Sequence, residues 1–217
     1  KTVAPLGLPV VLDLHENMPA AFAVHRMDKP ITTRLVSAMT QGTKRWKRLE
    51  KRWLSRADAV LLVVEEARTR LQRFPAIAQK STIVGNTENE ATFPLQPDTP
   101  DTQPDHERGI RLLYIGAVGP HRGIDTVLKG LARLPETAAV TARIVGLRPE
   151  QLRALEREAD RLDISHRLEL KGWVPKDQVA AEIASADVGL VPHAWTEHTN
   201  TTVPHKLYQY LMLSRDR

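Results

Sequence analysis

Short apolar runs alternate with helix-patterned stretches along most of this chain. Val10–Leu14 reads as a buried strand, followed by a loop from His15 to Pro19. Trp46, Leu49, Trp53, Ala57 and Val60 recur at three- and four-residue steps, which predicts one face of a helix. Ala59–Val64 is the next predicted strand, Glu65–Phe74 a helix and Thr82–Val84 a short strand. The periodicity then stops. Four prolines with Asp and Thr residues fill Pro94–Gly109 and predict a linker. Beyond it come four strand-helix units. Their strands lie near Arg111–Gly116, Ala142–Gly146, Arg167–Leu170 and Asp187–Val191, and their helices near Ile124–Leu134, Pro149–Leu162, Lys176–Ala186 and His205–Leu213.

Strands alternating with helices of this length predict an α/β fold with parallel, doubly wound sheets. Ligands in such sheets bind at the carboxyl ends of the strands. The loops to inspect are therefore His15–Pro19, Ala117–Gly123, Gly172–Pro175 and Pro192–His205. The linker divides the chain into residues 1–93 and 110–217, with 94–109 between them. Each part is shorter than the roughly 150 residues usual for such a domain, so both are expected to be incomplete.

Composition narrows the class. Hydrophobic residues at 41% and charged residues at 26% describe a globular chain, not a disordered one. No apolar run reaches the roughly 20 residues of a membrane span, and Lys1–Pro5 shows no leader pattern, so cytoplasm is the default location. The absence of cysteine excludes disulfides and thiolate metal sites. Between Arg34 and Arg56 eight basic residues face one acid, Glu50, more positive charge than the net +5 of the whole chain. A solvated face, an anionic membrane surface and nucleic acid are three readings of that helix. The last ranks lowest because nothing supplies base-reading chemistry.

The most informative stretch is Tyr114–Asp125. A strand breaks into a loop with Gly116, Gly119, Pro120 and Gly123, and Arg122 stands at the entrance of an amphipathic helix. Unpaired N–H groups at a helix start favour an anion, glycine permits close approach, and a guanidinium can fork onto phosphate. An ordinary β-to-α turn with a surface arginine fits the same residues. His121, His193, His198 and His205 follow no zinc spacing, so no metal is expected.

Several segments, in order, resemble the nucleotide-sugar-dependent glycosyltransferases called family 4, or group 1, which have the two-domain GT-B fold. They are Val11–Pro19, Leu49–Val60, Thr82–Asn86, the loop just described, Lys171–Pro175, Ala186–Pro192 and Thr201–Tyr210. The resemblance spans nearly the whole chain and implies two Rossmann-like domains, acceptor-side first and donor-side second, truncated at both ends. Such a piece is expected to be inactive alone.

The resemblance implies a retaining transferase moving a sugar from a nucleotide-diphosphate sugar to a glycan or lipid-linked acceptor, in cell-surface polysaccharide or glycolipid assembly. The intact enzyme would be cytoplasmic and peripheral on the inner face of the plasma membrane. The alternative is a non-catalytic nucleotide-sugar or polyphosphate-binding remnant. The resemblance assigns His15 to the reaction centre and Glu16 and Asn17 to the acceptor. It assigns Gly116, Arg122, Gly123, Gly172, Trp173, Val174, Thr201, Thr202, Lys206 and Gln209 to the donor. A second cation expected in the donor loop is Ala117 here, which leaves Lys206 or a helix dipole to replace it. The family's paired glutamates fall near Thr201 and Gln209, with Glu197 displaced by four positions. Trp173 would stack on a base or pack in the core.

Overall fold

A computed structural model describes residues 7–27, 32, 42–89 and 109–213. Lys1–Pro5, Arg34, most of the predicted linker and Ser214–Arg217 lie outside these residues. The chain divides into two compact units. The first joins Lys1–Asn86 to Ala194–Val203, and the second joins Thr87–His193 to Pro204–Arg217. Thr201 and Thr202 thus group with the first unit.

In the first unit the described elements run β1 (Val11–Leu14), α1 (Met18–Met27), α2 (Thr43–Arg56), β2 (Ala59–Leu62), α3 (Glu65–Leu71), α4 (Pro75–Ala78) and β3 (Ser81–Ile83). The three strands are parallel, in the order β1-β2-β3. Central β2 buries Val60 and Leu62 against Leu54, Leu71 and Ile77, as expected for a strand covered on its core side. The expected buried strand β1 lies at the edge of the sheet formed by the described residues, with alternating exposure, and Val11 is 55% exposed.

Three local expectations are corrected here. The predicted loop His15–Pro19 stops at Asn17 and α1 begins at Met18, because Asn17 Oδ1 accepts from Ala20 N–H (3.3 Å) and Pro19 sits in the first turn, where no N–H is needed. The helix predicted over Glu65–Phe74 ends at Leu71, and a separate short helix starts at Pro75. The tryptophan stripe of α2 is not its buried face. Glu50 and Leu54 are buried instead, because Arg70 donates to both carboxylate oxygens of Glu50 at 2.7 and 3.0 Å. Trp46 packs on Phe22 and Trp53, which leaves Trp53 47% exposed.

The second unit runs β4 (Ile110–Ile115), a 3-10 turn (Pro120–Arg122), α5 (Ile124–Leu131), β5 (Val140–Leu147), α6 (Pro149–Arg161), β6 (Leu168–Gly172), α7 (Lys176–Ala184), β7 (Val188–Gly189) and α8 (His205–Leu213). The sheet is parallel in the order β6-β5-β4-β7. The two-residue period of a strand sends alternate residues to opposite faces. Tyr114, Ala142 and Ile144 meet α5 and α6 residues such as Leu128 and Ala159. Leu113, Ile115 and Val145 meet Ala180 and Ile183 of α7 and Tyr210 of α8. This two-sided cover is the predicted double winding. β7 is shorter than the predicted Asp187–Val191, although Asp187 and Leu190 N–H still bond to Arg111 and Leu113 carbonyls (2.9 and 2.7 Å).

Candidate functional site

The carboxyl end of β4 carries the densest constellation of the second unit. Gly116 leaves the strand with φ +123°, a conformation that side chains rarely adopt, and its N–H donates to Val145 O at 2.9 Å. The loop after it is pinned from inside. Tyr114, with no exposed surface, donates its hydroxyl to Ala117 O (2.6 Å), and Gln151 Nε2 donates to Val118 O (3.0 Å). Burial pushes the Tyr114 phenol up to about 12, with Arg122 pulling the other way. The hydroxyl therefore stays protonated and remains a donor.

Two cations flank this loop, one at each end. The side chain of Lys206, only 8% exposed, comes from the first turn of α8. Its Nζ lies 3.4 Å from where a Cβ on Gly116 would be and 3.4 Å from the Tyr114 ring centroid. It is buried with no hydrogen-bond partner. Burial, helped by the Arg122 charge, lowers its pKa to about 7. An ammonium held this way lacks a counter-charge, and an anion at Gly116 would supply it. Arg122 closes the other end of the loop, its Nη1 2.9 Å from His193 Nε2. Gly123 follows in the left-handed region with φ +71° and packs against the Pro192 carbonyl.

The other donor-side residues expected from sequence are more dispersed. Gly172 ends β6, Trp173 is 78% exposed beside it, and Val174 packs against the α7–α8 side of the core. Gln209, one turn beyond Lys206 on α8, donates through Nε2 to Glu88 Oε2 at 2.8 Å. Thr201 and Thr202 bond to carbonyls of their own turn, Glu197 O and His198 O.

In the first unit His15 is exposed just beyond β1, its Nε2 2.8 Å from Asp13 Oδ2. Glu16 is exposed, whereas Asn17 is buried and also donates to Glu197 O at 3.3 Å. A cavity of about 350 Å3 is lined by Asn17, Lys47, Glu66, Arg73, Glu197 and Thr201, among others. Among the described residues no group of three or more histidines and acids could hold a metal ion, and no helix is long and apolar enough to cross a membrane.

Sequence reasoning assigned no binding or positioning role to Tyr114, His193 or Glu88. Tyr114 reads as one more apolar strand residue. His193 and Glu88 act on partners 71 and 121 positions away, and no local pattern signals that.

Residues 97–203 match the family described as glycosyl transferases group 1. No curated protein matches the chain. Among solved structures, HepE of Anabaena in complex with UDP is similar over 97% of this chain and 52% of its own, at 15% identity and a TM-score of 0.66. HepE has also been solved in complex with UDP-glucose. Sucrose-phosphate synthase of Thermosynechococcus elongatus is similar over 86% of this chain and 45% of its own, at 18% identity and a TM-score of 0.60. WaaG, a glycosyltransferase involved in lipopolysaccharide biosynthesis, is similar over 94% and 55%, at 17% identity and a TM-score of 0.58. The chain spans about half the length of these structures. The likeness gives the fold: two parallel α/β units of the GT-B type.

Proposed function

We propose that the protein, whose residues 97–203 match the family described as glycosyl transferases group 1, moves a sugar from a nucleoside-diphosphate sugar to a glycan or lipid-linked acceptor, with retention of anomeric configuration. Cell-surface polysaccharide or glycolipid assembly is the setting we infer. WaaG, named for lipopolysaccharide biosynthesis, and HepE, solved with UDP and UDP-glucose, are consistent with it.

The observation that carries the reading is the buried, unpartnered Lys206 ammonium against Gly116, with Arg122 close enough to lower its pKa. Breaking the donor's glycosidic bond leaves charge on a diphosphate, and preorganised cations and N–H groups stabilise that charge most. Lys206 takes the part that Ala117 cannot. With Arg122 it supplies the positive charge, so the proposed site needs no divalent ion. His15 is the proposed contact to the sugar at the reaction centre, with Glu16 and Asn17 as acceptor-side residues. Gly172–Val174 is the proposed nucleobase edge.

Titration calorimetry with UDP, ADP and GDP tests the site. Saturable binding of at least one is expected, and no heat with any of them would remove the proposal. Release of free sugar from the bound donor then separates a transferase from a binding remnant.

The basic helix α2 is proposed to rest on an anionic lipid surface. Its Lys44, Lys47, Arg48, Lys51, Arg52 and Arg56 are exposed, and so is the half-open Trp53. Vesicles containing phosphatidylglycerol should sediment the protein at low salt and release it at high salt, while phosphatidylcholine vesicles should not. Equal behaviour with both lipids would refute the idea.

A further inference from the structure

The cavity of about 350 Å3 in the first unit has no apolar side chain among its lining residues. Pockets of this size for drug-like ligands are lined mostly by apolar groups, so its chemistry is of another kind. The buried part is already satisfied. Asn17 is engaged at both ends of its amide, with Ala20 N–H and Glu197 O, and the Thr201 hydroxyl donates to Glu197 O and His198 O at 3.1 Å. Arg70 is held by both carboxylate oxygens of Glu50. These groups shape the cavity and have little left to offer a ligand.

The exposed part is the opposite. Lys47 comes from the start of α2, Glu66 from the first turn of α3, Arg73 from the turn after α3, and Glu197 from the segment Ala194–Val203. Among the described residues none of these four side chains has a hydrogen bond or an ion pair, and the Arg73 guanidinium lies only over the Phe74 ring at 5.1 Å. Two carboxylates that only accept and two cations that only donate are thus set around one cavity. A phosphate or other anionic head group would use the cations but be repelled by Glu66 and Glu197. An apolar chain would meet no apolar side chain. A hydroxyl both donates and accepts, so a ring carrying several of them satisfies both kinds of group at once.

We propose that this cavity binds a neutral sugar unit of the acceptor, with Glu66 and Glu197 accepting from its hydroxyls and Lys47 and Arg73 donating to them. The acceptor role rests on the transferase reading above, and Asn17, which lines the cavity, stands two residues beyond His15. Sugar binding itself does not depend on that reading. The group held here is a glycan ring, not the phosphate of a lipid anchor.

Saturation-transfer NMR on the full chain tests this. The methyl glycosides of glucose, galactose, mannose and N-acetylglucosamine are the neutral probes, and glycerol 1-phosphate is the anionic one. At least one neutral probe should bind saturably and more tightly than glycerol 1-phosphate. Glu66→Ala and Arg73→Ala, both at exposed positions, should each weaken that binding roughly tenfold, the worth of a hydrogen bond to a charged group. Their unfolding midpoints should match the wild type. Binding of no neutral probe, tighter binding of glycerol 1-phosphate, or sugar binding that survives both substitutions overturns the proposal. The nucleotide titrations remain an independent measurement. If they show no heat while the sugar signal holds and responds to Glu66→Ala, the transferase reading and the acceptor role fall, and the cavity stands as a sugar site.

Discussion

Replacing Lys206 with methionine should weaken nucleoside-diphosphate binding roughly 10- to 100-fold, the worth of a hydrogen bond from a charged donor, without destabilising the free protein. The two halves of this result have one cause. In the free protein the ammonium is buried against Tyr114 with no hydrogen-bond partner. Methionine keeps the volume and the ring contact and removes the desolvation cost. Unfolding followed by circular dichroism should show an unchanged or raised midpoint. Undiminished affinity in the variant would exclude Lys206 from the site.

The same residue sets a pH dependence. Its pKa is about 7 in the folded chain against 10.5 for an ordinary lysine. Between those values the unfolded state holds the extra proton, so stability rises with pH across the window. The gain is complete above the ordinary value and is lost as pH falls through about 7. Binding behaves oppositely. A diphosphate raises the lysine pKa again, so binding above neutrality takes up a proton. Affinity should then fall by up to about tenfold per pH unit between the free and bound values. Lys206→Met should flatten that slope.

Gly123→Ala should be the most damaging single-methyl change near the site. Gly123 holds φ +71°, which costs an L residue roughly 1–2 kcal/mol. Its new Cβ would also fall inside contact distance of the Pro192 carbonyl oxygen and 2.8 Å from the carbonyl carbon. That obstacle is backbone, not a side-chain tip, so the loop must move. Arg122 and His193 flank the collision on the two loop segments, and their 2.9 Å contact should be lost with it. A loss of about 2 kcal/mol or more is expected, together with nucleotide affinity. Gly130→Ala is the control. It lies within α5 with nothing within 4 Å of its added methyl, and should stabilise by about 0.5–1 kcal/mol. Equal effects of the two substitutions would show that the backbone at Gly123 is not constrained as described.

The parallel architecture was legible because apolar runs such as Arg111–Ile115 and Val140–Leu147 carry it locally. Less legible was anything that depends on what a residue meets across the fold. Asn17 followed by Met18-Pro19 looks like a loop until its side chain is found holding Ala20 N–H. Glu50 looks like one acid on a solvated basic helix, yet Arg70 draws it inward and turns the helix face with it. Lys206 could be named as a stand-in cation, but its burial against Tyr114 depends on α8 packing beside β4, where the Tyr210 hydroxyl accepts from Ile115 N–H. Nothing near Gln209 in the sequence signals that its side chain bonds Glu88, 121 positions away.

The hydroxyl of Tyr114 on the Ala117 carbonyl, with Gln151 on that of Val118, bears finally on kinetics. A loop whose carbonyls are already held has little left to order when a ligand arrives. Association should therefore run at the pace of encounter, hastened by the two cations, and differences among nucleotides should be expressed in how slowly each one leaves.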